Sequence, residues 1–147
     1  MELRPAAADD AAPIQELVRE AFVGYVPRIG REPAPMAVDY RVPVAEGRCW
    51  VAEDDGRVVG VIQCAVQAGH LEVETIAVAP QAHGRGVGSR LLTFAEERAR
   101  ALGLPEVRLC TNEAMTENLA YYPRRGFTEV ARATEHGYCR VYFSKAV

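Results

Sequence analysis

A glycine-rich turn is the most informative chemical feature of the sequence. Gly84, Gly86 and Gly88 alternate with other residues directly before a segment of strong helical periodicity. Glycine lets the backbone turn tightly and approach a ligand without obstruction by a Cβ atom. The free N–H groups at the start of a helix lie at the positive end of its dipole. The turn therefore predicts a diphosphate-binding site, although the same pattern also suits a turn that only packs a helix against a strand.

Two better-known phosphate motifs do not fit this turn. A Walker loop requires Gly-Lys followed by Ser or Thr, and the region contains no lysine. The dinucleotide-binding fingerprint requires a third glycine where the sequence has Ser89. If the turn binds a diphosphate, we expect Arg85 and Arg90 to add positive charge at its edge.

Two carboxylates precede the turn on the same strand. Glu72 and Glu74 are separated by one residue, so they share a face of a strand with period two. An alkylamine, with a pKa of about 10, must lose a proton before it can act as a nucleophile. A carboxylate can take that proton directly or through water. The alternative is a pair of solvated strand carboxylates, above all for Glu74.

Hydrophobic periodicity predicts the elements that position these groups. We expect a helix from about Ala11, capped by Asp9 or Asp10, and irregular structure over residues 24–35, which hold three prolines and two glycines. Pro43 should end or kink a short helix within residues 36–46. Longer helices are predicted at residues 87–102 and 115–124, and strands around residue 3 and at residues 50–52, 58–66, 71–78, 107–111, 127–134 and 138–144. The result is an α/β (α+β) fold with a mixed, mostly antiparallel sheet, in which strand 107–111 runs parallel to strand 71–78.

Composition limits the class of protein. The 147 residues fit one domain, residues 1–147, and 49% hydrophobic and 25% charged residues allow a globular core. A net charge of −3 argues against nucleic-acid binding, and no segment is apolar enough for a membrane span. The N-terminus is unlike a secretory signal, which predicts a cytoplasmic protein. The cysteines are widely spaced, which predicts buried reduced thiols: Cys49, Cys64, Cys110 and Cys139. The histidines lack metal-ligand spacing, so no metal is expected: His70, His83 and His136.

Two segments carry a resemblance to a known family. The pattern Val78-x-Pro80-x-x-His83-Gly84-Arg85-Gly86-Val87-Gly88-Ser89 resembles the acetyl-CoA-binding motif of GNAT-type N-acetyltransferases, with His83 in place of the usual Gln or Arg. Residues 118–127, with Asn118, Tyr122 and a terminal Gly-Phe, look like the second signature of the family. The order of elements agrees along nearly the whole chain, and the specific part is residues 71–127.

The resemblance implies a fold and a reaction. The fold is a single GNAT-like domain with a seven-stranded sheet flanked by helices, in which the two central parallel strands splay apart. The reaction is transfer of an acetyl group from acetyl-CoA to a primary amine of a small molecule or peptide, by direct attack in a ternary complex. Acetylation of protein N-termini or lysines is an alternative, and so is a non-catalytic acyl-CoA sensor or interaction module. A homodimer through the last strands is implied by analogy alone.

The resemblance also implies residue roles. Glu72, eleven residues before His83, is the first choice for the general base, and Glu74 is the alternative. Tyr122 would protonate the departing thiolate, and the N–H of Val78 would stabilise charge on the thioester oxygen. Coenzyme A would contact the main chain of Ile76, Ala77 and Val78, the turn residues His83, Gly84, Arg85, Gly86, Val87, Gly88 and Ser89, and the side chains of Asn112, Asn118 and Tyr122. A helix cap or a turn is the safer assignment for Asn112, and a helix cap is the alternative for Asn118.

The remaining assignments concern the periphery of the site. Arg124 and Arg125 would approach the 3′-phosphate of the nucleotide. The acceptor side would be built by Tyr25, Arg28, Met36 and Tyr40. A covalent route through Cys110 is disfavoured, because a cysteine in an apolar strand is usually inert.

Overall fold

A computed structural model describes residues 1–147 and shows one seven-stranded sheet. The strands follow one another in space as β1-β2-β3-β4-β5-β7-β6. Only β4 and β5 pair in parallel, which confirms the predicted mixed sheet. The strands are β1 Glu2–Pro5, β2 Cys49–Asp54, β3 Arg57–Gln67, β4 His70–Val78, β5 Glu106–Asn112, β6 Thr128–Glu135 and β7 Tyr138–Ala146.

Five helices accompany the sheet: α1 Ala11–Phe22, α2 Val26–Ile29, α3 Arg41–Ala45, α4 Val87–Ala101 and α5 Thr116–Arg124. Helices α1 and α4 both pack on β3 and β4, and their apolar residues join one hydrophobic core with the strands. Gly60 allows α4 to approach β3 closely, because a Cβ atom there would lie 2.7 Å from Cγ1 of Val87. None of the five helices combines the length and the hydropathy of a membrane-spanning segment.

The central parallel pair separates after three residues. Leu71–Val73 of β4 pairs with Val107–Leu109 of β5, and the two strands then lose contact although each stays paired on its other side. Gln63 pairs with Thr75 and the next residue of β3 pairs with Val73, so Glu74 is an extra residue in β4. Such a bulge bends its strand. The bend confirms the predicted splaying and opens a gap between β4 and β5.

The prolines between α1 and β2 do not prevent helix formation, contrary to the prediction from the sequence. Residues 24–35 were expected to be irregular, but α2 lies there between 3-10 turns at Val23–Tyr25 and Ala34–Ala37. Pro27 is the second residue of α2 and Pro43 the third of α3, so both lie in a first turn, where an N–H has no helical acceptor to lose. Pro43 therefore neither ends nor kinks its helix, which continues to Ala45.

The acid expected to cap α1 has a different role. Neither Asp9 nor Asp10 accepts a hydrogen bond from the first turn of α1. The Asp10 carboxylate instead accepts the N–H of Ala7 at 2.7 Å and a two-pronged contact from Arg4 at 2.7 and 3.0 Å. This contact ties β1 to the start of α1.

The expectation of buried thiols is correct for only two cysteines. Cys49 and Cys64 are buried, whereas Cys110 and Cys139 are exposed. Side chains alternate along a strand, and Cys110 lies on the exposed face of β5 while its neighbours Leu109 and Thr111 are buried. An apolar run does not reveal which of its members faces outward.

Candidate functional site

A cleft of about 1190 Å³ opens where β4 and β5 diverge. The helical segment after α1, the first turn of α4 and helix α5 form its walls. The structure brings together around this cleft most of the side chains and main-chain groups that the sequence singled out: Tyr25, Glu72, Glu74, Ile76, Ala77, Val78, His83, Gly84, Gly86, Val87, Gly88, Ser89, Asn112, Asn118 and Tyr122.

The glycine turn presents a row of unused donors. None of the six amide N–H groups from Gly84 to Ser89 donates a hydrogen bond within the protein, and the first paired amide is that of Arg90, which donates to the carbonyl of Gly86 at 3.1 Å. Gly84 and Gly86 both have φ of +79° and open space at the Cβ position. Unpaired amides at a helix N-terminus form an anion-binding site.

The cleft edge of β4 offers further main-chain groups. The N–H of Ala79 donates to the carbonyl of Val59 on the β3 side, at 2.8 Å. Successive amides point to opposite sides of a strand, so the N–H of Val78 faces the gap left by β5. The ring of His83 lies beside this position, with Nε2 3.3 Å from the carbonyl oxygen of Val78. His83 therefore contacts the strand end as well as lining the cleft.

Tyr122 lies deep in the cleft wall. It is 6% exposed and its ring packs against Phe127 and Phe143, with centroids 5.8 and 5.6 Å away. Its hydroxyl makes no hydrogen bond within the protein, and burial raises the pKa of this hydroxyl well above its ordinary value. The phenol is consequently protonated at neutral pH and has a proton to donate. The neighbouring Tyr121 also lines the cleft, where its hydroxyl lies close to Gly88.

The two carboxylates differ in how they are bound. Glu74 forms an ion pair with Arg48 and accepts a hydrogen bond from Nε2 of Gln63 at 3.0 Å. Glu72 contacts only His70, at 3.3 Å, and burial raises the pKa of its carboxyl. A raised pKa makes Glu72 the stronger base, whereas Glu74 is held by a cation. The only hint in the sequence of the Gln63 contact was a polar residue inside the apolar run of β3.

Six residues expected at the site do not line the cleft: Arg28, Met36, Tyr40, Arg85, Arg90 and Arg125. Tyr40 is completely buried, and its hydroxyl donates to the carbonyl of Pro35 at 2.7 Å, so it supports the wall from behind. Arg85 turns away to form an ion pair with Asp54 at the end of β2. Arg90 donates to the carbonyl of Met1 at 3.2 Å.

The two asparagines and two arginines in and around α5 differ in whether they make structural hydrogen bonds. Asn118 donates to Oγ1 of Thr111 at 3.0 Å, which fixes α5 to β5. Oδ1 of Asn112 accepts the N–H of Ala114 at 2.9 Å and forms the turn before α5. Arg124 lines the cleft, while Arg125 donates to the carbonyl of Ser89 at 3.3 Å and joins α5 to α4.

A strap formed by residues 23–38 crosses one end of the cleft. Tyr25 and Arg28 reach Glu117 of α5, at 3.2 and 2.9 Å. On the other side, the hydroxyl of Tyr138 donates to the carbonyl of Glu32 at 2.6 Å. These contacts tie the strap to α5 and to the β6–β7 hairpin, so they narrow the cleft at this end.

Comparison with known proteins agrees with this architecture. The sequence model of the acetyltransferase (GNAT) family matches residues 13–127. The chain is 37% identical over 84 residues to an IAA acetyltransferase of Azospirillum brasilense, covering 56% of this chain and 55% of the relative. It is 34% identical over 82 residues to an aminoalkylphosphonate N-acetyltransferase of Salmonella typhimurium, covering 51% and 53%. The match thus spans about half the length of these curated relatives.

Solved structures share the fold over the whole chain. The PaiA N-acetyltransferase of Thermoplasma acidophilum, solved in complex with coenzyme A, superposes with a TM-score of 0.81 at 18% identity, covering 99% of this chain and 98% of the other. An IAA acetyltransferase from Bacillus cereus gives a TM-score of 0.74 at 20% identity, with 99% of each chain covered.

Proposed function

Because the chain belongs to the acetyltransferase (GNAT) family, we propose that it transfers an acetyl group from acetyl-CoA to a primary amine. The observation that carries the proposal is the row of unpaired amides from Gly84 to Ser89 at the mouth of the cleft. Six donors without acceptors at the positive end of a helix suit a diphosphate. The residues present therefore fit coenzyme A.

Coenzyme A would be held chiefly by main-chain groups. The diphosphate would accept hydrogen bonds from the turn, and the pantetheine arm would lie along the gap edge of β4, at Ile76 and Val78, like an added strand. Arg124, which lines the cleft, would face the nucleotide phosphates. Arg85, which is paired with Asp54, is no longer a candidate for side-chain contact, although its main-chain N–H remains one.

Glu72 is the proposed general base. Its carboxylate takes a proton from the acceptor ammonium, and the free amine can then attack the acetyl carbon. Burial supports this choice because it raises the pKa of Glu72 towards the working pH, whereas the ion pair with Arg48 commits Glu74 to a structural contact. Glu74 is then the second choice.

The remaining groups act on the charge that develops during transfer. When bound, acetyl-CoA supplies an activated acetyl thioester. The N–H of Val78 faces the gap and is the donor that would stabilise negative charge on the carbonyl oxygen. As the bond from carbon to sulfur breaks, the hydroxyl of Tyr122 would give its proton to the departing thiolate, and the second proton lost by the attacking nitrogen would restore the phenol, directly or through water. The direct route fits Cys110, because desolvation by the surrounding walls of the cleft raises the pKa of its thiol and so disfavours the nucleophilic thiolate.

The acceptor is proposed to be a small primary amine. The strap narrows the acceptor end of the cleft through its contacts with α5 and the β6–β7 hairpin, which favours small molecules over folded proteins. The name of the Salmonella relative describes an amine of this size.

A pair of glycine variants tests the coenzyme site. Gly86 and Gly103 both have positive φ, +79° and +71°, and open space around the Cβ position, but only Gly86 lines the cleft. Alanine should cause similar backbone strain at both positions. In calorimetric titrations with coenzyme A, Gly86→Ala should weaken binding about tenfold or more, while Gly103→Ala should bind like the parent protein.

A thiol-release assay with acetyl-CoA and a panel of amines tests the reaction. Release that depends on the amine supports the transferase. Binding of coenzyme A without release over the whole panel would favour the acyl-CoA sensor instead. A protein that does not bind coenzyme A at all would contradict both.

A further inference from the structure

We propose that the acceptor carries an anionic group, a carboxylate or a phosphonate, in addition to its amine, and that Arg140 binds this anion. The inference rests on the proposed function and specifies its substrate class. It assigns to Arg140 of β7 a role in substrate selection at the end of the cleft crossed by the strap.

Arg140 is a cation without a close partner. It lines the cleft, and its side chain is only 24% exposed. A guanidinium has five N–H donors, yet that of Arg140 makes no hydrogen bond within the protein. The nearest carboxylate oxygen, Oε2 of Glu135, lies 4.0 Å away. Since partly buried guanidinium groups normally satisfy their donors, this one is available for an anionic ligand.

Other arginines on this face are already bound. Arg108 of β5 forms an ion pair with Glu106 on the same strand. Arg31 of the strap donates to the carbonyl of His136 at 2.8 Å and stacks on Tyr138, 4.1 Å from the ring centroid. Arg140 lies 5.6 Å from the same centroid, so two guanidinium groups approach one ring.

Strand pairing places Arg140 on the same face as the proposed base. Glu72 is opposite Arg108 in the parallel pair, and Arg140 is opposite Asn112 in the antiparallel pair. Residues 108 and 112 of β5 share a face because their separation is even. Strand spacing and rise put the Cα atoms of Glu72 and Arg140 about 16 Å apart. Both side chains line the cleft, and their own length takes up part of this distance, which leaves a span suited to a small molecule.

Cys110 provides an uncharged floor between the two groups. It lies on β5 between the positions opposite Glu72 and Arg140, and its thiol is exposed in the cleft. A substrate with an ammonium at one end and an anion at the other would meet a carboxylate, a neutral surface and a guanidinium in that order. A plain alkylamine would leave the guanidinium unpaired.

Matched amines test the proposal. β-Alanine and 2-aminoethylphosphonate each carry an anion near the amine, whereas n-propylamine carries none. The parent protein should show kcat/KM for at least one anionic amine about tenfold or more above that for n-propylamine. Preference for the carboxylate or for the phosphonate distinguishes the two anion classes, and either supports the proposal.

Variants of Arg140 provide the second arm. Arg140→Gln should lower kcat/KM for the preferred anionic amine by about 10- to 100-fold and leave that for n-propylamine within about twofold. Arg140→Lys keeps the charge but loses the planar guanidinium group, so its kcat/KM for the anionic amine should lie between those of the parent protein and Arg140→Gln. Arg132→Gln, which removes an exposed arginine paired with Glu129 and Glu113 outside the cleft, is the control and should change neither rate.

The outcomes separate the two proposals. Equal use of anionic and neutral amines, or an equal loss for both in Arg140→Gln, overturns the anion site and leaves the transferase standing. Binding of coenzyme A by each variant is measured by calorimetry, so a folding defect is seen separately. Absence of turnover with every amine, or of coenzyme A binding by the parent protein, would overturn the proposed function and this inference together.

Discussion

At the residue scale, Tyr121 and Tyr122 are adjacent in sequence but have different environments. Tyr122 is enclosed by Phe127 and Phe143, and burial raises the pKa of its hydroxyl. Tyr121 is more exposed and lies beside the first turn of α4. A phenol in an apolar pocket stays neutral, so it still holds its proton when the thiolate departs and can transfer that proton to it. This contrast provides a matched pair of variants.

Tyr122→Phe should lower kcat by about 100-fold or more, because the departing thiolate loses its proton donor. The affinity for coenzyme A should stay nearly unchanged, since the main chain holds it. Tyr121→Phe is the control and should retain kcat within a few fold. Steady-state thiol release and calorimetry measure the two quantities; unchanged turnover in Tyr122→Phe would remove the acid role.

Glu72 and Glu74 differ in their freedom to accept a proton. Glu72→Gln should lower kcat/KM by about 100-fold and abolish the acidic limb of its pH profile. The base acts as the carboxylate, so activity falls as the pH drops through the pKa of Glu72. Burial raises that pKa, which places the limb at a higher pH than for an ordinary glutamate.

Glu74→Gln serves as the comparison. It removes the charge paired with Arg48 and should keep the acidic limb while lowering activity less. If Glu74→Gln abolished the limb and Glu72→Gln preserved it, the two roles would have to be exchanged.

At the scale of elements, the bulge at Glu74 and the end of β1 show how strands are placed for the site. The bulge bends β4 away from β5 and leaves the Val78 N–H without a strand partner.

At the edge of the sheet, Arg4 bridges the carboxylates of Asp10 and Glu53, at 2.7 and 2.6 Å. These contacts fix β1 and the start of α1 against β2.

Asp10→Asn should destabilise the fold by about 1–3 kcal/mol at pH 7, because a buried carboxylate with charged and main-chain donors is lost. The Arg4 guanidinium lowers the pKa of Asp10 in the folded state. Its contribution is therefore present above the pKa of the unfolded chain and disappears as the pH falls through the folded value.

Urea unfolding at neutral and at progressively lower pH measures this dependence. The stabilities of the parent and of Asp10→Asn should converge at acid pH. The exposed neighbour gives the control, Asp9→Asn, which should unfold like the parent. A constant difference across the pH range would show that the charge of Asp10 is not what matters.

At the scale of the whole molecule, local patterns predicted most elements but not the contacts between distant segments. Alternation and helical spacing were sufficient for the strands and for α4, because those signals depend on neighbouring residues. Pro27 and Pro43 were misjudged because a proline in a first turn resembles a helix breaker in sequence. Tyr40 has the side chain of a substrate contact, and only its tertiary position makes it a core residue.

The candidate site follows the same division. The glycine turn was recognisable because its residues are contiguous. Glu74 is bound by Arg48 and Gln63, whereas Glu72 is not. Arg48 directly precedes β2 and Gln63 lies in β3, so no local pattern around the two glutamates reveals these contacts. That Arg140 has no hydrogen-bond partner is likewise a property of the assembled sheet, where Oε2 of Glu135 is 4.0 Å away.

One ion pair joins three separate elements. Nζ of Lys145 in β7 lies 2.8 Å from Oε1 of Glu96 in α4 and donates to the carbonyl of Arg125, after α5, at 2.9 Å. Lys145→Met should destabilise the protein by about 1–3 kcal/mol, because the nearly buried Glu96 keeps only a contact of 3.9 Å with Arg100. The double variant Glu96→Leu/Lys145→Met should recover part of the loss in urea unfolding. No recovery would show that the charges are not coupled.

The same contact affects the chemical labelling of the protein. The sequence has sixteen arginines and Lys145 as its single lysine, so it offers only one side-chain amine to an acylating reagent. That amine is held by two acceptors and is only 24% exposed, so a reagent reaches it more easily when β7 separates from α4. Modification of Lys145, followed by mass spectrometry, should therefore become faster under conditions that separate β7 from α4, and it reports opening of the C-terminal half of the sheet.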